Sequence, residues 1–202
     1  CELFATGMKA KWDARVYIDL YAGSGFTRIR DTQRLLLGSP LIALSVPDPF
    51  DRYIFCESDP DGLSALKARA KRLFPNAEVR YVPGDVNENV RLILDEIPQH
   101  RRDYRVLSFC FVDPFSVEIK FDTLRRLADG RAMDFLILLA LGMGRGWLVA
   151  PLLGTFDRVA VGAHLGGLEP VRLVLLAVVG ALVRLAVALG VGANLLGADL
   201  AA

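Results

Sequence analysis

Tyr17-Ile18-Asp19-Leu20-Tyr21-Ala22-Gly23-Ser24-Gly25 is the stretch on which the reading of this chain turns. Residues 16–20 are apolar on both alternating faces except for Asp19 near the carboxyl end. That is how a central parallel strand, covered on two sides, reads in sequence. A glycine-rich turn follows at once. Strand, acid and glycine turn together predict the opening unit of a nucleotide-type α/β fold, in which the turn lets a ligand approach the backbone closely.

Working outward, the pattern repeats. Residues 26–38 read as an insertion, with Arg28, Arg30 and Arg34 around an Asp31-Thr32 turn. Ser39-Pro40 predicts a cap and first helical residue for a helix over 40–45, stopped by Pro47 and Pro49. A strand is expected over 53–57. Asp59-Pro60 then opens a helix whose apolar face is Leu63, Leu66, Ala70 and Leu73. A strand over 78–82 closes at Pro83-Gly84-Asp85, and a helix over 88–97 follows, capped by Asn87, with Val90, Ile93, Leu94 and Ile97 inward. The strongest strand signal is 106–112, ending in Asp113-Pro114-Phe115. Asp122 is expected to cap a helix over 123–128, and a fifth strand spans 135–141. Upstream, Met8, Trp12 and Val16 mark one helical face. Alternating strands and helices imply a Rossmann-like three-layer α/β sandwich with a mostly parallel sheet and right-handed crossovers.

Composition narrows the function classes. Lys and Arg number 24 against 23 acids, so overall charge gives no reason to expect a polyanion partner. Cys1, Cys56 and Cys110 lack metal-ligand spacing, and two of them sit in apolar strand runs. They read as buried small hydrophobes in a reducing cytoplasm. His100 and His164 stand alone, so neither a metal site nor a nucleophilic triad is expected. The start shows neither an initiator Met nor a signal-peptide pattern and reads as a trimmed fragment.

Residues 145–202 break the pattern. They lack Lys, Ile, Tyr, Gln, Ser and Cys and are dominated by Leu, Val, Ala and Gly. Three readings stay open: a transmembrane helix, for which Arg172 and Arg184 bracket too short a run; a buried terminal helix pair; and a reading-frame change into GC-rich sequence. The domain is therefore expected over 1–144, with an atypical tail beyond it and a sheet incomplete at the C-terminus. A membrane partner is not expected.

Ligands of parallel sheets sit beyond the carboxyl ends of the strands. There the chain places Asp19 with its glycine turn, Glu57, Asp85 and Asp113. The turn carries Gly23 and Gly25, but Arg28 stands where a dinucleotide fingerprint needs its third glycine. An acid shortly before G-x-G matches better the turn of S-adenosylmethionine (SAM) methyltransferases. On that reading Tyr21, Ala22, Gly23, Ser24 and Gly25 approach the methionine moiety, and Asp19 binds its ammonium, directly or through water. Glu57 accepts from the ribose hydroxyls, with Asp59 a competitor better explained as a helix cap. Asp85 reaches the adenine amino group. Asp113, Pro114 and Phe115 form a shortened Asp-Pro-Pro-aromatic motif: the acid holds a target amino group and the ring stacks on a base. Each feature also has a plain reading, as a turn, a cap or a core ring.

Tyr17 to Gly25, then Gly38-Ser39-Pro40-Leu41-Ile42-Ala43-Leu44, Gly84-Asp85-Val86-Asn87 and Val112-Asp113-Pro114-Phe115, resemble the three-Cys-motif partner protein family (TcmP) over about residues 15–143. The resemblance implies a class I methyltransferase-like fold and SAM as cofactor. It also implies a partner, the three-cysteine-motif protein encoded nearby. Ser116 departs from the glycine that commonly follows Asp-Pro-Phe, and the tail departs from the family's continuation, where two more strands are usual. Two functions follow as expectations: methyl transfer to a nucleic-acid base or other amino-bearing acceptor, or a non-catalytic scaffold for the three-cysteine protein.

Overall fold

All six residues of β1, Ala14–Asp19, are buried. The computed structural model, which describes residues 1–28, 33–114, 119–140, 173–179 and 182–187, builds the sheet around this strand. β1 lies parallel to β4 (Arg52–Glu57) on one side and β6 (Val106–Val112) on the other. β5 (Val79–Pro83) lies outside β4, and β7 (Ala132–Ala140) outside β6, both parallel.

The two faces of β1 serve two cores. Val16, Ile18 and Leu20 join Ile54, Cys56, Cys110 and Val112 beneath α4 (Val90–Glu96) and α5 (Phe121–Ala128). Tyr17 joins Tyr53, Phe55 and Phe109 beneath α1 (Glu2–Met8), α2 (Ser39–Leu44) and α3 (Pro60–Leu73). Helices cover both faces, giving the Rossmann-like three-layer arrangement. The chain runs outward from β1 to β4 and β5, then crosses back to β6 and β7. The direction of winding therefore switches between β1 and β6, and ligands of such sheets sit beyond the carboxyl ends at that switch.

Arg15 ties this centre to its surroundings. Its buried guanidinium donates from Nη1 to Ala5 O and from Nη2 to Pro49 O, each at 2.8 Å, and from Nε to Asp51 at 3.3 Å. A buried charge so fully bonded pins α1 and the segment before β4 onto the sheet.

Several expectations need correction. Val16 belongs to β1, not to a helical face with Met8 and Trp12. The insertion is a short antiparallel hairpin, β2 (Phe26–Arg28) with β3 (Leu35–Leu37), and the Asp31-Thr32 turn lies outside the described residues. Gly38, not Ser39, holds the cap position of α2. Asn89, not Asn87, precedes α4, and Lys120, not Asp122, precedes α5. Asp122 sits in the first turn of α5, paired with Arg125. Leu73 ends α3 half-exposed, not inward with Leu66 and Ala70. Two strands come from the apolar tail: β8 (Leu173–Val179), parallel to β7, and β9 (Leu182–Val187), antiparallel to β8. Over those residues the helical readings of the tail do not hold. No helix among the described residues is long and apolar enough to cross a membrane.

Candidate functional site at the carboxyl edge of the sheet

Asp19 ends β1 on its aromatic face and is fully buried. Its carboxyl accepts from the Tyr21 N–H at 3.3 Å and the Tyr17 hydroxyl at 3.4 Å. Burial pushes it up to about 7; Ser39 and the Tyr21 amide oppose that rise, and the charge of Asp113 adds to it. A buried acid with its carboxyl raised, at a winding switch, is a candidate site residue.

The glycine turn then crosses to β4. Ala22 N–H donates to Cys56 O at 3.0 Å, and Gly23 N–H to Glu57 Oε2 at 2.6 Å. The other Glu57 oxygen accepts from Asp59 N–H at 2.8 Å. That oxygen also accepts from the Ser58 hydroxyl at 3.4 Å, while Oε2 has room for a second donor, so Glu57 can hold the turn and still accept from a ligand hydroxyl. Asp59 caps α3 through the amides of Asp61 and Gly62, as expected.

Gly25 has φ +86°, and a Cβ there would lie 2.9 Å from Leu66 Cδ1 and 3.1 Å from Leu41 Cδ1. Its carbonyl accepts from Gly38 N–H at 2.7 Å, which fastens the hairpin's return to the turn. Gly23, at φ +59°, faces open space instead, leaving backbone that a ligand can approach.

Asp85 is exposed after β5, and Oδ1 accepts from Asn87 N–H at 2.7 Å, an Asx turn. Gly84 N–H donates to Glu57 O at 2.9 Å, joining this loop to the end of β4. Asp113 stands exposed beyond β6, yet desolvation on its protein side raises its carboxyl above the ordinary range. Pro114 is half-buried beside it; Phe115 lies outside the described residues.

The four acids therefore share one edge. Burial first, then the charges of Glu57, Asp85 and Asp19, pushes the Cys56 thiol up to about 12. Cys110 is raised too, by burial first and then by Asp19. Neither thiol is a nucleophile at neutral pH. Both are the buried hydrophobes expected. Cavities of about 410 and 420 Å³ lie elsewhere, at the amino ends of β6 and β7 and of β4, and none of the four acids lines them. Among the described residues no cluster suits a metal ion.

Two contributors escaped sequence reasoning. Arg69, on α3, donates to Ser24 O and lies 5.3 Å over the Phe26 ring, bracing the turn from below. Its signal was its position three residues after Leu66, at the border of the apolar face. Asn87 accepts at Oδ1 from Lys120 N–H at 2.9 Å and from the Thr123 hydroxyl at 2.7 Å, so it caps α5 from a distant loop. Nothing local in the sequence announces such a partner.

No protein-family model and no curated protein matches the chain. Among solved structures it is similar to a conserved hypothetical protein of Streptococcus pyogenes, at 12% identity and TM-score 0.38, covering 63% of this chain and 66% of that one. It is also similar to protein LPL1258 from Legionella pneumophila strain Philadelphia 1, of family DUF519, at 17% identity and TM-score 0.40, covering 61% and 55%. The chain thus spans less than two thirds of either structure's length.

Proposed function

We propose that this protein binds SAM at the carboxyl edge of its sheet and is a methyltransferase-like protein of TcmP type, acting on a nucleic-acid base or another amino-bearing acceptor. The observation that carries the reading is the convergence of Asp19, Glu57, Asp85 and Asp113 at the ends of neighbouring parallel strands, with Gly23 bonded to Glu57. The donor set fits the group. Glu57 offers lone pairs for ribose hydroxyls, and exposed Asp85 an acceptor for the adenine amino group. Open space at Gly23 admits the methionine end. Asp19 is buried, so it acts on an ammonium from beneath the turn, through its charge and the Tyr21 amide it orients.

SAM, when bound, supplies an activated methyl group. The chain's own part is positioning. Asp113 accepts a hydrogen bond from the acceptor's amino group and aims its lone pair, with Pro114 holding the loop and Phe115 stacking on a base. Alignment alone supplies much of the acceleration in such a displacement. Calorimetric titration of the folded protein with SAM tests the reading. Binding is expected in the micromolar-to-millimolar range, and its absence overturns the cofactor assignment.

One observation favours a second reading, a non-catalytic scaffold. Leu35, Leu36 and Leu37 of β3, with Ile42 of α2, are each more than two-fifths exposed beside the site. Such apolar surface suits a protein partner, for which the three-cysteine-motif protein is the candidate. Co-purification with that protein, undiminished by Asp113→Ala, would support it.

A further inference from the structure

We propose that the cavity at the amino ends of β6 and β7, on the edge of the sheet opposite the glycine turn, is a second binding site, and that it takes a neutral polyhydroxyl molecule, a sugar or the ribosyl part of a nucleoside. The proposal does not depend on what binds at the carboxyl edge.

Ser108 is where it starts. This residue is the third of β6, lies between Val16 on β1 and Met133 on β7, and is 1% exposed. Alternation puts it on the same face as Val106, Cys110 and Val112, which belong to the core beneath α4 and α5. Its hydroxyl has no hydrogen-bond partner among the described residues. A buried hydroxyl left unpaired lowers stability and calls for a reason. The reason lies beside it: Ser108 lines the cavity of about 410 Å³.

The rest of the lining divides in two. Ile97, Val106 and Ala132 are buried and apolar, while Asp95, Gln99, His100, Asp129 and Arg131 form the outer part. His100 is held in place by β6. Val106 N–H, which can only donate, lies 3.2 Å from Nδ1. Nδ1 is therefore an acceptor, and the ring proton sits on Nε2, which has no partner among the described residues. Arg131 uses Nη1 on Asp129 O at 2.7 Å, and its other donors remain. The rim thus offers donors from His100 and Arg131, acceptors from the carboxylates of Asp95 and Asp129, and both from Gln99.

Charge selects the ligand. An anion that reaches Arg131 also meets Asp95 and Asp129, and a cation that reaches those acids also meets Arg131. A neutral molecule whose groups both donate and accept meets no such repulsion. Hydroxyls do both. The C–H face of a sugar ring suits the apolar lining, and the volume lies in the range of small-molecule sites.

Amide-detected NMR titration of the full chain tests this, with D-ribose, D-glucose and cytidine as probes. A probe that binds should shift the Ser108, Gly130 and Ala132 amides saturably, with a millimolar Kd, and leave Gly23 and Gly25 unmoved. Saturation by cytidine and ribose assigns the site to nucleosides, and saturation by glucose assigns it to free sugars; both uphold the polyhydroxyl class. Ser108→Ala should weaken binding about tenfold, the worth of one hydrogen bond. A Kd that Ser108→Ala leaves unchanged overturns the proposal; should that variant not fold, Arg131→Gln on the rim carries the same test. No saturable shift with any probe up to about 100 mM, far above a specific Kd, also overturns it. So does inorganic phosphate that saturates the same amides more tightly than the sugars, which would mark an anion site.

Discussion

At pH 8 the Asp19 carboxyl is charged inside a buried pocket, and the fold bears the strain. The sign follows from its rise from about 4 to about 7 on folding. Between those values the native state holds a proton that the unfolded chain has released, so this group's stabilisation is complete below pH 4. It declines as pH rises and is gone above about 7. Asp19→Asn keeps the shape and the acceptor for the Tyr21 amide, with its NH2 beside the Tyr17 hydroxyl, which can turn to accept. We expect it to stabilise the protein above pH 7 by about 4 kcal/mol and to flatten the fall in stability between pH 5 and 8, measured by urea unfolding. The same variant should weaken SAM binding at least tenfold. Greater stability with lost binding is what a functional acid predicts; a destabilised variant at pH 8 would contradict the assignment. Asp13 and Asp48 act in the opposite sense. The Arg105 amide and the Lys9 ammonium, respectively, hold them below the ordinary range, so their contribution is present at neutral pH and lost in acid.

Elements in this fold are ended by partners far away in sequence. α5 starts where Asn87 meets it, and Asn87→Ala should destabilise by about 1–2 kcal/mol through two lost hydrogen bonds, with Lys120 N–H left unpaired. Gly25→Ala should destabilise more, by about 2–4 kcal/mol, because positive φ and the approach of Leu66 act together. Thermal unfolding measures both. Here lies the limit of what could be read from the chain alone. Central strands such as β6 were legible to the residue, since burial on both faces leaves an unbroken apolar run. Helix starts were not, because Ser39, Asn87 and Asp122 are good capping residues by type and their actual roles depend on neighbours that sequence does not show. The hairpin escaped because its leucines face solvent and alternate with nothing. The tail's strands escaped because Leu, Val and Ala runs do not discriminate helix from strand.

For the molecule as a whole, the two-sided winding places acids from four strands along one edge, and this much was visible from their spacing. Whether that edge performs transfer depends on Asp113, since the other three acids serve binding on the proposed reading. Asp113→Ala should leave SAM affinity within about twofold and remove methyl transfer to a base-containing acceptor; loss of binding would move Asp113 into the cofactor's own pocket. The edge has one further property. Its loops are fastened in series: Gly38 to Gly25, Gly23 to Glu57, Glu57 to Gly84, and Asn87 onward to Lys120. Opening any loop in that series takes a hydrogen bond from its neighbour. The amide protons of Gly23, Gly38, Gly84 and Lys120, separated by almost a hundred residues of sequence, should therefore exchange with solvent deuterium at one common rate, as a single cooperative unit. A ligand seated on any one of them would slow all four together.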